Sequence, residues 1–224
     1  LPARDDDLDR RLAARREGGR VRTDVVALYV DPRGPYPSLV SEWYDEARDA
    51  RTYEGPLPVV AHPPCGPWGR LRHMCRHDDP KLAIRAVEQV RQCGGVLEHP
   101  QYSKLWERCG LPLPGEPEDA WGGRTIFVNQ CDWGHVARKA TWLYLVRVTA
   151  PIVLPPKREP THWISGGRDG SKWRTTPVPI GIKVCSAQQR RRTPIAFAEW
   201  LLDLAASSRR AARRGRATDQ SRRT

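Results

Sequence analysis

Cys65 and Glu98 are the two side chains in this 224-residue chain whose types and settings best suit covalent chemistry. Cys65 follows Pro63-Pro64 and precedes Gly66, after the apolar pair Val59-Val60. Two prolines cannot continue a sheet ladder, and a glycine lets the backbone turn sharply and lets a ligand come close. The pattern is that of a strand that stops and presents a thiol at its carboxyl end, where open α/β sheets bind their ligands. Glu98 lies at the end of a second short apolar strand, Gly95-Val96-Leu97-Glu98-His99-Pro100. A thiol and a carboxylate on two strand ends suit nucleophilic chemistry on a ring.

The elements that must position this pair are legible as a strand–helix rhythm. Residues 24–30 form an apolar, β-branched run ending in the turn Asp31-Pro32-Arg33-Gly34. The spacing of Leu39, Val40, Trp43, Tyr44 and Ala47 predicts a helix over 38–50, capped by Ser38. Residues 57–62 are the strand that leads into Cys65. A helix over 80–92 has Asp79 as cap, Pro80 in its first turn and one face of Leu82, Ala83, Ala86, Val87 and Val90. Gly94-Gly95 ends it, and the strand 95–97 carries Glu98 at its tip. A short helix follows over 103–108. Two neighbouring strands, 125–130 and 140–148, flank the turn Asp132-Trp133-Gly134-His135, and a helix over 193–206 closes the fold. This order predicts a single α/β domain with a mainly parallel sheet and crossover helices over about residues 23–206. Residues 150–180, rich in Pro, Gly, Trp and basic side chains, read as a long irregular loop. Residues 1–22 and the Arg-rich 207–224 read as disordered charged tails.

The formal net charge is +12, which favours a polyanionic partner, nucleic acid being the commonest. Part of that excess lies in the tail, where it could merely solubilise. Arg70, Arg72, Arg76, Arg138, Lys139, Arg168, Lys172 and Arg174 lie in the body of the chain. The six cysteines show neither a CxxC pair nor a disulfide framework, and no leader or membrane-length apolar run is read. The expectation is a reduced, cytoplasmic protein with no membrane contact.

Cytosine is a substrate that needs this pair. A thiolate adding to carbon 6 turns the ring into an enamine that is nucleophilic at carbon 5. A carboxyl group at ring nitrogen 3 keeps negative charge from accumulating, and the base must leave the duplex stack to be reached. The segment His62-Pro63-Pro64-Cys65-Gly66-Pro67-Trp68 resembles the Pro-Cys nucleophile motif of the DNA cytosine-5 methyltransferases. Leu97-Glu98-His99-Pro100 resembles their Glu-Asn-Val/Pro motif, with His99 where Asn is usual. One crossover helix separates the two, as in that family. The stretch 129–145 is similar to the family's Gln-x-Arg-x-Arg region, with Arg138 and Lys139 spaced more widely from Gln130. The segment from Arg192-Thr193-Pro194 through the closing helix weakly resembles the family's last helical segment.

The resemblance implies a Rossmann-like, methyltransferase-like sheet with Cys65 as nucleophile and Glu98 as the acid on nitrogen 3. It also implies S-adenosylmethionine as methyl donor, with Asp31 and Pro64 as its contacts, and double-stranded DNA with a flipped cytosine as partner. Arg70, Arg72, Gln130, Arg138, Lys139, Arg168, Lys172 and Arg174 would contact the nucleic acid, and no metal is expected. The family's Gly-rich donor loop is not seen: the first strand ends in Val30-Asp31-Pro32-Arg33-Gly34-Pro35-Tyr36, and too few residues precede Cys65 for two further strands. The donor half is therefore reduced or rebuilt, and residues 150–180, with Trp163 and Trp173, are the only stretch available as a small target-recognition segment. Other readings stay open: a buried structural thiol at Cys65, Asp31 capping its own turn, and Glu98 pairing with an arginine. A zinc site among His62, Cys65, His73, Cys75 and His77, a different donor, and a non-catalytic nucleic-acid-binding protein are also open.

Overall fold

The computed structural model describes residues 21–70, 72–75, 78–164 and 181–220. Its central sheet has strands β1 (Val26–Leu28), β2 (Trp43–Tyr44), β3 (Val59–Ala61), β4 (Gly95–Pro100), β5 (Gly123–Asn129) and β6 (Ala140–Val146). They lie in the order β2-β1-β3-β4-β6-β5. The first four run parallel, and β6 then runs antiparallel to both β4 and β5. The architecture is thus an α/β domain with a mostly parallel, Rossmann-like sheet.

The apolar runs read from the sequence are the strands buried on both faces, as parallel strands between helices require. Val26, Leu28, Val59, Ala61 and Leu97 pack against Ala83, Ala86, Val87 and Val90 of α2 (Pro80–Cys93) and against Leu105 and Trp106 of α3 (Lys104–Cys109). Ala27, Val60, Val96, Leu143 and Leu145 face the other way, onto Phe197, Ala198, Leu201 and Leu202 of α5 (Ile195–Gln220). The period-2 alternation of strand side chains splits one sheet between two helical layers. Asp79 caps α2 by accepting from the Lys81 amide at 2.9 Å, and Ser103 caps α3 at the Leu105 amide.

One predicted helix is not formed. Residues 38–50 contain only the end of a short helix, α1 (Tyr36–Leu39), and then the edge strand β2, in register with β1 at Ala27↔Trp43 and Leu28↔Tyr44. The outer edge of β1 needs a hydrogen-bonding partner, and an aromatic pair suits a strand. The Arg48 guanidinium sits 4.6 Å from the Tyr44 ring centroid. Boundaries also move, most consequentially at β4 and the last helix. β4 continues through Pro100, so Glu98 lies within the strand and not at its tip, and α5 runs on to Gln220, past residue 206.

Residues 150–164 are irregular until His162–Trp163 (β7), which pairs in parallel with Lys183–Val184 (β8). A five-residue helix, α4 (Ala187–Arg191), leads into α5. Among the described residues no helix is long and apolar enough to cross a membrane.

Candidate functional site

The chain leaves β1 toward β2 on one side and returns to form β3 on the other. The carboxyl ends of β1 and β3 therefore flank a topological switch point, where doubly wound sheets bind ligands. His62 is held there by its amide, which donates to the Leu28 carbonyl at 3.0 Å. Pro63 and Pro64 end the ladder, and at Cys65 the chain turns: the Trp68 and Gly69 amides both donate to the Cys65 carbonyl, at 3.1 and 2.8 Å. Gly66 lets the Asp78 and Cys75 side chains come close: a Cβ there would lie 2.3 Å from Asp78 Oδ2 and 2.6 Å from Cys75 Sγ. Cys65 is exposed. The protein packed behind its sulfur still desolvates it, and with the Glu98 charge this pushes the thiol up, against the pull of Lys139.

Glu98 is the centre of a buried polar network. Its Oε2 lies 3.1 Å from His62 Nδ1, and the far ring nitrogen of His62 meets the Tyr36 hydroxyl at 2.5 Å. Its Oε1 accepts from Gln130 Nε2 at 2.9 Å and from the Thr141 hydroxyl at 3.4 Å. Gln130 Nε2 also reaches Thr141 Oγ1 at 3.0 Å. Burial alone would push the Glu98 carboxyl up. The hydrogen bond from His62 and the charges of Lys139, His62 and His99 outweigh it and hold Glu98 at about 2, so it is a carboxylate at neutral pH.

Lys139 adopts a positive φ of 41° just before β6. Its ammonium donates to the Arg192 carbonyl at 3.0 Å. Burial lowers its basicity, while the fields of Glu98 and Cys65 raise it. His99 is fully buried, with Nδ1 2.8 Å from Ser103 Oγ, and burial pushes its imidazole down to about 4, so it stays neutral.

Of the residues expected at the site, Glu98 and Gln130 are in contact, and Lys139 lies within the electrostatic reach of Glu98 and Cys65. Pro64 is half-buried, with its backbone facing His99. Arg70, Arg72 and Arg138 are exposed. Arg168, Lys172 and Arg174 lie outside the described residues, as do Arg76 and Trp173. Asp31 accepts from the Arg33 amide at 2.9 Å and from its guanidinium, closing its own turn. In that turn a Cβ on Gly34 would sit 3.0 Å from the Asp31 carbonyl. The Asp31 carboxylate is thus paired within its own turn, as the turn-capping reading expects. Among the described residues no three His, Cys, Asp or Glu side chains come together as metal ligands.

Tyr36, His62 and Thr141 are the members of the network that sequence reasoning did not place. His62 appeared in the sequence only at the head of the Pro-Pro-Cys segment and among the candidate zinc ligands. Its partners lie 26 and 36 residues away, and only the strand order brings them together. The fold and site define the class: a Rossmann-like α/β domain with an exposed thiol and a buried, hydrogen-bonded carboxylate near its switch point. No protein-family model matches the chain, and no curated protein matches it.

Proposed function

We propose that the chain is a pyrimidine-modifying enzyme of the cytosine-5 methyltransferase type, acting on cytosine in DNA. The observation that carries this reading is the convergence of Cys65 and Glu98 at the carboxyl edge of neighbouring strands β3 and β4, with Lys139 acting electrostatically on both. Cys65 Sγ bonds to carbon 6, the carbon 5–carbon 6 π pair shifts toward ring nitrogen 3, and that nitrogen takes a proton at the Glu98 carboxyl. Carbon 5 is then an enamine carbon, open to an electrophile. Elimination removes the carbon 5 hydrogen and expels the thiolate. Arg70, Arg72 and Arg138 are exposed and available for phosphate contact. S-adenosylmethionine is the donor implied by the Pro-Cys and Glu motifs, and the transferred group is read from the product.

The test needs no donor. In deuterated water the adduct takes a deuteron at carbon 5 and loses the original hydrogen on elimination. Wild type is expected to exchange carbon 5 hydrogen of cytosine in duplex DNA, read by mass spectrometry of the released nucleosides, and Cys65→Ala to exchange none. Equal exchange in the two would sink the assignment. Nucleosides from DNA of cells expressing the protein would then name the transferred group.

The closed Asp31 turn favours a second reading, a nucleic-acid-binding protein without transfer activity. DNA binding with no exchange by wild type would select it.

A further inference from the structure

We propose that His62 is a proton-carrying positioning residue: as the imidazolium it passes a proton through Nδ1 to Glu98 while Cys65 adds to the ring, and Tyr36 holds the imidazole in place. This rests on the cytosine chemistry proposed above.

The geometry restricts the source of that proton. Glu98 Oε1 is bound by an amide and a hydroxyl, from Gln130 and Thr141, and neither titrates near neutral pH. Oε2 is bound by His62 Nδ1, from a side chain that, like that of Glu98, is only 12% exposed. The other face of His62 meets Tyr36, which is 2% exposed and whose phenol burial pushes well above its usual range. Tyr36 therefore keeps its own proton and serves as a fixed dipole, its ring centroid 5.0 Å from that of His62. Glu98 enters the reaction ionised, yet ring nitrogen 3 must gain a proton as the thiolate adds. His62 is the titratable group hydrogen-bonded to that carboxylate.

The step balances. Thiolate and imidazolium carry opposite charges. The sulfur–carbon 6 bond forms, the imidazolium Nδ1–H moves to Glu98 Oε2, and the Glu98 carboxyl protonates nitrogen 3. His62 is left neutral with Nε2–H donated to the Tyr36 oxygen, and elimination returns the proton along the same path. The charged and titratable groups facing His62 are Glu98 and His99 from β4 and Tyr36 from α1. Lys139 acts from beyond Glu98. His99 stays neutral, and so does not substitute for His62.

This makes a distinctive pH profile. The reactive form needs a thiolate, which gains with pH, and an imidazolium, which loses with pH. The two dependences oppose each other, so wild-type exchange is expected to stay nearly flat with pH where the thiolate alone would make it climb. His62→Asn keeps an amide donor where Nδ1 stood but cannot titrate. Its exchange should be slower at pH 7 and climb about tenfold per pH unit, following the thiolate alone. A structural role for His62 would lower the rate without changing the slope. A wild-type profile retained in His62→Asn would overturn the relay and leave the cytosine chemistry standing. No exchange by wild type at any pH would remove both.

Discussion

Glu98 is ionised despite its burial, and His99 beside it is neutral because of its own, so the two residues give the fold a defined acid response. Glu98 titrates near 2 in the folded protein and near 4.3 when unfolded. Its contribution is complete above the unfolded value and is lost as pH falls toward 2. His99 titrates near 4 when folded and near 6.5 when unfolded. Unfolded chains bind that proton first, so stability is lost as pH falls from about 6.5 toward 4. Thermal melts between pH 7.5 and pH 4.5 should show this loss, on the order of 2 kcal/mol in the wild type. His99→Asn, the residue usual in the motif that Leu97–Pro100 resembles, should flatten the profile, and an unchanged slope in that variant would count against the assignment. Tyr36→Phe removes one partner of His62 and should cost about 1 kcal/mol in chemical denaturation. It should slow carbon 5 exchange while keeping the flat pH profile set by His62.

At the scale of elements, the tightest constraint is the start of β4. Gly95 has a φ of 116°, and a Cβ there would lie 2.0 Å from the Val59 carbonyl oxygen on β3. Gly95→Ala must push β4 away from β3, or distort both, and should cost about 3 kcal/mol or more in denaturant unfolding. A loss below about 1 kcal/mol would show that the strands are further apart than described. The same two strands were the most legible part of the sequence. Val59-Val60-Ala61 and Val96-Leu97 are short apolar runs bounded by proline and glycine, and full burial on both faces leaves no other pattern for them. The capped, one-faced α2 was equally plain. The segment 38–50 was not, because five apolar residues at helical spacing are compatible with a strand once β1 leaves an edge to fill. Cys65 and Glu98 drew notice in the sequence because each falls at a short apolar strand segment closed by proline, although β4 runs on past Glu98. The rest of the network was hidden, since Tyr36, His62 and Thr141 become neighbours only through the crossing from β2 to β3 and the reversal of β6.

For the whole molecule the relevant quantity is charge. If this chain of net charge +12 binds DNA as proposed, its affinity should fall steeply as salt rises, because each neutralised phosphate releases counterions. If Arg70 and Arg72 contact phosphates, Arg70→Ala with Arg72→Ala should lower the salt slope of DNA binding by about two. Titrations by fluorescence anisotropy at several salt concentrations would measure it, and an unchanged slope would place the contact surface elsewhere. The antiparallel return of β6 has a different kind of consequence. It brings Lys139 and Thr141 to the edge where β3 and β4 end, so the partners of Glu98 come from α1, the end of β3, the turn after β5 and the start of β6. No partly assembled sheet can complete that set. Recovery of exchange activity during refolding should therefore coincide with the slowest fluorescence phase and show no earlier amplitude, which makes the chemistry itself a clock for the last strand to dock.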